Sequence, residues 1–278
     1  MRTGVLATIA CVIAAAIGLA AGYLIWGWPT NWYTRDVTNL PANPENDIIR
    51  YGHDLIINTA KHIGKDAADP QKRYAGNDLA CVNCHLDAGL RPFAAPFVST
   101  FATFPMLADD QVLTLKERIN GCMNRSMNGK GLPDASPEMQ ALIEYIKFLG
   151  TGTPEGVRIA GMGLFPIGDP PLAADAGRGA EVYAKLCASC HKEGGQGVPN
   201  TPPNVGYSIP PLWGDDSFNA AAGMAKLAYA AACIRTNMPF GVRHQDPVLS
   251  VQQAWDVAAY MTTRPRPPAP PGGGSEFH

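Results

Sequence analysis

Cys81-Val82-Asn83-Cys84-His85 and, further along, Cys187-Ala188-Ser189-Cys190-His191 are the two stretches on which the reading of this chain turns. C-x-x-C-H is the attachment pattern of a c-type haem. Residues i and i+3 share one face of a helical turn, so both thiols of a pair can form thioethers to the two vinyl groups of one porphyrin. The histidine that follows then points its imidazole at the iron as the proximal ligand. A zinc ribbon also uses two C-x-x-C pairs, but about 15–20 residues apart; Cys84 and Cys187 are far more distant. A thioredoxin-like redox pair gives no reason for His to come next in both copies. The sequence therefore predicts two covalently bound haem c groups, one on Cys81, Cys84 and His85, the other on Cys187, Cys190 and His191.

The chain around each motif follows one plan. Asp47–Ile63 has helical spacing before the first motif, Gly89–Pro105 reads as loop, and Asp109–Asn120 as a helix capped by Asp109 or Asp110. Ser136-Pro137-Glu138 starts a closing helix that Gly150 and Gly152 stop. Thr151–Ala174 is rich in Gly and Pro and reads as a linker. The second half then repeats the order: a helix over Asp175–Cys187, loop from Gly194 to Pro211, helix over Phe218–Arg235 and a last helix over Ser250–Met261. This order resembles a small class I cytochrome c domain, in which the first and last helices cross beside the haem. The predicted fold is mainly α, with tandem domains at 39–150 and 175–263 joined by 151–174.

The two distal ligand positions differ. In the second domain Met238-Pro239 precedes the last helix, 47 positions after His191, where a thioether ligand is expected. The matching stretch of the first domain is Arg118-Ile119-Asn120-Gly121-Cys122-Met123-Asn124-Arg125-Ser126-Met127-Asn128-Gly129-Lys130. Cys122 precedes Tyr145 by 23 residues and Met238 precedes Tyr260 by 22, so the two ligand slots nearly superimpose. Met123 and Met127 compete with Cys122 on spacing. Arg118, Arg125 and Lys130 surround the thiol with positive charge, which favours a thiolate and can hold small oxyanions, with Ser126 as a neutral donor. Cys233, five residues before Met238, reads as core.

The long basic segment closely resembles that of the thiosulfate dehydrogenases, dihaem cytochromes c that interconvert thiosulfate and tetrathionate. The resemblance implies that His85 and Cys122 ligate an active-site haem, and His191 and Met238 an electron-transfer haem. It also implies that Arg118, Arg125, Ser126 and Lys130 bind the sulfonate ends of the substrate. Some relatives carry a Lys immediately before the distal Met; here the residue is Asn237. The partner it implies is a small periplasmic acceptor, a cytochrome c or a high-potential iron–sulfur protein. The alternative is a non-enzymatic, membrane-anchored dihaem electron carrier to a terminal oxidase, with Met123 or Met127 on the first haem.

The ends complete the reading. No charged residue occurs between Thr3 and Thr34, and Val5–Trp28 is mostly apolar, about 36 Å as a helix and long enough to cross a bilayer. Residues 1–30 are therefore expected to be an anchor in the inner membrane or a cleaved signal, with the haem domains in the periplasm either way. Lys+Arg 22 against Asp+Glu 24 gives no basic surface for nucleic acid. Residues 264–278 read as a Pro-rich tail ending in a cloning remnant.

Overall fold

The computed structural model describes residues 35–108 and 110–270. The predicted anchor over 1–30, the proposed cap Asp109 and the last eight residues lie outside these. Among the described residues no helix is long and apolar enough to cross a membrane.

Six long helices carry the fold: α1 (Pro44–Ile57), α2 (Leu115–Arg125), α3 (Pro137–Leu149), α4 (Ala176–Leu186), α5 (Leu227–Asn237) and α6 (Val251–Thr262). Helix α1 crosses α3, and α4 crosses α6. Both crossings are made by a glycine under a tyrosine. A Cβ on Gly52 would fall 2.0 Å from Ala141 O and 2.7 Å from Tyr145 Cβ. One on Gly179 would fall 1.9 Å from Asp256 O and 2.9 Å from Tyr260 Cβ. Only a missing side chain lets the backbones approach this closely.

Several predicted boundaries hold. Ser136, Asp175 and Ser250 cap α3, α4 and α6, each accepting from the backbone N–H three residues on. Three others are corrected. The helix predicted over Asp47–Ile63 breaks at Asn58, and Thr59–Ile63 forms a separate short helix. The helix predicted from Asp109 begins instead at Leu115, because Thr114 and Glu117 form a capping box. The residues before it pair as an antiparallel hairpin, Met106–Ala108 with Gln111–Leu113, turned through Asp110 at φ 62°. The helix predicted from Phe218 begins only at Leu227. Upstream, the buried Asn219 accepts from Ala221 N and donates to Asn124 O at 2.9 Å, so its side chain competes with helix formation.

The two halves are bolted together by polar groups. Asn219 N donates to Arg125 O, and Asn77 Nδ2 to Ser126 O and Ser217 O, which satisfies the carbonyls at the C-terminus of α2. Residues 151–174 are pinned at several points. Gly161 O and Gly163 O accept from Phe93 N and Ala95 N, and Phe165 stacks with Phe93 and His244. The start of the tail also docks, with Arg264 over the Tyr260 ring and Arg266 over Phe218.

Lys65 sits at this interface between Asp78 and Asp216, and Tyr207 donates to Asp216. Burial, helped by the neighbouring Asp66, raises the Asp78 carboxyl to about 6, against the pull of Lys65. Between the ordinary carboxylate value of about 4 and about 6 the folded protein holds a proton that the unfolded chain has lost. This contribution to stability is complete below pH 4 and is lost as pH rises through 6. Asp78→Asn should therefore gain on the wild type in thermal melts at pH 7.5 relative to pH 4.5. Equal differences at both pH values would show that Asp78 titrates normally.

Candidate active site

The first motif forms a 3-10 turn over Cys81–Asn83, with Cys81 N donating to Thr59 Oγ1 at 3.0 Å. The second forms a short helix over Ala188–His191. His85 Nδ1 lies 2.6 Å from Ala95 O and His191 Nδ1 lies 3.0 Å from Pro210 O. Each contact requires a proton on Nδ1, so Nε2 is the nitrogen that each ring could offer to iron. Burial also holds His191 below the ordinary imidazole value.

Two cavities lie at the motifs. One of about 420 Å³ is lined by Cys81, His85 and Cys122; the other, about 940 Å³, by Cys187, Cys190, His191 and Met238. In the second half the buried apolar cluster is small, Ala230, Ala231, Ala258 and Met261, with Leu212, Trp213, Leu227, Ile234 and Trp255 packed against it. The larger cavity opens onto this cluster through Leu212, Ala230, Ile234 and Met261. All four attachment cysteines are free thiols. The residues present fit a covalent porphyrin at each motif: thiols that would attach it, an imidazole and a further sulfur in the lining, and largely apolar walls. Cys84 opens into the larger cavity and Cys81 into the smaller, so the two haem sites share the first motif as a common wall.

Cys122 stands on α2 four residues after Arg118, whose Nη1 donates to its Sγ at 3.3 Å. Burial alone would raise this thiol. Arg118, a hydrogen bond with His85 and the charge of Arg125 overcome that and bring it to about 6. Cys81, Cys187 and Cys233 are instead pushed up to about 11, and Cys84 to about 12, with burial the main cause in each. Of the two thiols that line this cavity, Cys122 is thus favoured as thiolate and Cys81 as neutral thiol, with His85 in the same wall.

The other predicted residues are spread more widely. Arg125 is buried and lies across Gly121, where a Cβ would meet its Nη2 at 2.8 Å. Asn120 pairs twice with the backbone of Leu132, folding the following loop back over α2. Ser126 is half-buried at the C-cap of α2, and Lys130 is exposed above the Tyr74 ring, 5.5 Å from its centroid. Of the four anion-binding candidates, only Arg118 lines the cavity with Cys122. Met123 also lines it, while Met127 is packed into the core away from it. Asn237, beside Met238, is buried and donates to Phe93 O in the other half, a structural use. Reasoning from sequence missed Arg158. It comes from the segment read as linker, yet lines the same cavity as Cys122.

Comparison with known proteins finds c-type cytochromes over both halves. Residues 71–154 match the SoxA/TsdA cytochrome c domain, and residues 176–265 match the cytochrome c family. The thiosulfate dehydrogenase of Stutzerimonas stutzeri is 36% identical over 84% of this chain and 72% of its own length. That of Thiomonas intermedia is 37% identical, again over 84% of this chain and 72% of its own. The solved thiosulfate dehydrogenase (TsdBA) from Marichromatium purpuratum superposes with a TM-score of 0.74 at 35% identity over 88% of this chain. The chain spans about half the length of that protein, 50%.

Proposed function

The chain belongs to the thiosulfate dehydrogenase family of dihaem c-type cytochromes, and we infer that it joins two thiosulfates into tetrathionate with the release of two electrons. The observation that carries the chemistry is the Cys122 sulfur, which accepts from Arg118 in a cavity that also holds His85 and has no carboxylate in its lining.

Haems held by the two motifs would supply one-electron acceptors, two in number for the two electrons of the reaction. The chain's own residues do the rest. Arg118 keeps Cys122 ionised and stands where the first dianion must enter, offsetting its repulsion from the thiolate. Loss of two electrons joins the Cys122 sulfur to the sulfane sulfur of one thiosulfate. The resulting Cys-S-S-sulfonate is then attacked at that sulfane sulfur by the second thiosulfate, which releases tetrathionate and restores the thiolate, as in thiol–disulfide exchange. Arg125 acts on Cys122 through its charge from behind Gly121. Ser126 and Lys130 stand further out on the loop and are assigned to anion approach. The wall shared through Cys84 supports electron passage from the Cys122 site to the His191/Met238 site.

The uncharged N-terminal stretch supports export to the periplasm, with that segment serving as inner-membrane anchor or cleaved signal. A small cytochrome c or high-potential iron–sulfur protein there would take the electrons. The test is thiosulfate oxidation by the haem-loaded protein with ferricyanide as acceptor. One tetrathionate per two ferricyanides reduced is expected; no turnover with both haems reducible would overturn the assignment.

A further inference from the structure

The cavity around Cys122 has two cationic side chains in its wall, Arg118 and Arg158, and no Asp or Glu. Arg118 is committed to Cys122 Sγ. Arg158 is exposed and makes no ion pair among the described residues, so an anion inside the cavity is its natural partner.

Its position tells which anion. Gly163 turns at φ 76°, and a Cβ built there would fall 2.8 Å from Arg158 Nη2, so the guanidinium rests against this glycine. Gly163 O accepts from Ala95 N at 2.9 Å, and Ala95 O in turn holds His85 Nδ1. Gly156, two residues before Arg158, donates to Ala102 O at 2.7 Å. Arg158 is therefore fastened to the wall that supports the proximal histidine, not to α2, which carries Cys122 and Arg118. Haem c carries two carboxylates on its edge, and a porphyrin held through His85 would bring an anion to this wall.

We propose that Arg158 is the counter-ion of a propionate of the first haem, delivered to the site by the segment that joins the two domains. This deepens the reading of that site: it rests on a haem being bound there, not on the identity of the substrate. A guanidinium paired with a propionate offsets its negative charge and so favours the reduced iron. The joining segment would thereby tune the potential of the first haem as well as connect the domains.

The test uses the holoprotein and the variants Arg158→Gln and Arg158→Lys. Redox titration follows each haem through its own absorption bands, resonance Raman follows the propionate bending bands, and thiosulfate kinetics are run in parallel. Arg158→Gln should lower the midpoint potential of the first haem only and shift a propionate band. Arg158→Lys should keep most of the potential, and KM for thiosulfate should change by less than about twofold. Gly163→Ala, which displaces the guanidinium without removing it, should move the potential in the same direction as Arg158→Gln. Unchanged potential and propionate bands in Arg158→Gln would overturn the inference. A roughly tenfold rise in KM at unchanged potential would also overturn it, and would assign Arg158 to the substrate. Should the wild type fail to oxidise thiosulfate while the potential still shifts, the propionate contact stands and the assigned activity falls.

Discussion

Cys122→Gly is expected to abolish tetrathionate formation, with a fall of about three orders of magnitude or more, the usual scale for loss of a covalent nucleophile. Both haems should remain attached, because Cys81, Cys84, Cys187 and Cys190 are untouched. The size of the effect follows from the chemistry. Without this sulfur, two dianions must meet directly against their mutual repulsion, with no intermediate to hold the first. Glycine in the middle of α2 costs about 1 kcal/mol of helix stability, so Cys122→Ala is the companion that keeps the helix. It should be equally inactive. Cys122→Ser should be inactive too, since a hydroxyl does not ionise near neutral pH even beside Arg118. Turnover within tenfold of wild type in Cys122→Ala would show that the thiolate is not the reacting group. The electron carrier with Met123 on the first haem would then be the better reading.

Much of this site was legible because its signals are local. The C-x-x-C-H motifs are contiguous, and Arg118, Gly121, Cys122 and Arg125 fall within three turns of one helix. The spacing argument from Tyr145 and Tyr260 also has a physical ground. Both tyrosines lie over the glycine of a helix crossing, so counting back from them reaches the same place in each half. What failed depended on partners far away in sequence. The run from Ala220 to Ala222 favours helix by propensity, but Asn219 is claimed by α2 of the other half, which holds the backbone in turns. The helix expected from Asp109 gives way at its start to a hairpin, because Gln111–Leu113 pairs with Met106–Ala108 across a turn at Asp110. Arg158 lies among glycines with no periodicity. Only the pairing of Gly161 and Gly163 with Phe93 and Ala95 brings it to the haem wall, and nothing in its own neighbourhood announces that. Lys130 shows the reverse case, close to Cys122 in sequence while its side chain lies over Tyr74 and outside the cavity lining.

Gly52→Ala is expected to destabilise the first domain by about 3 kcal/mol or more, at the upper end of overpacking costs. The new methyl would sit 2.0 Å from Ala141 O, a backbone atom that cannot swing aside as a side chain does. Relief requires α1 and α3 to separate. That separation would draw Tyr145, whose hydroxyl donates to Ala88 O at 2.8 Å, away from the turn after His85. In a domain of roughly a hundred residues, 3 kcal/mol lowers the melting temperature by about 15 °C. Melts read at the absorption bands of the two haems separately should show the loss in the first domain, with the second as internal reference. Gly179→Ala should give the mirror result, because its methyl would meet Asp256 O at 1.9 Å. The sign is the sharpest part of this expectation. On an exposed helix the same exchange stabilises by about 1 kcal/mol through helix propensity. A melting temperature that rises in either variant would mean that the helices do not cross backbone to backbone, and that the haem alone holds each pair together.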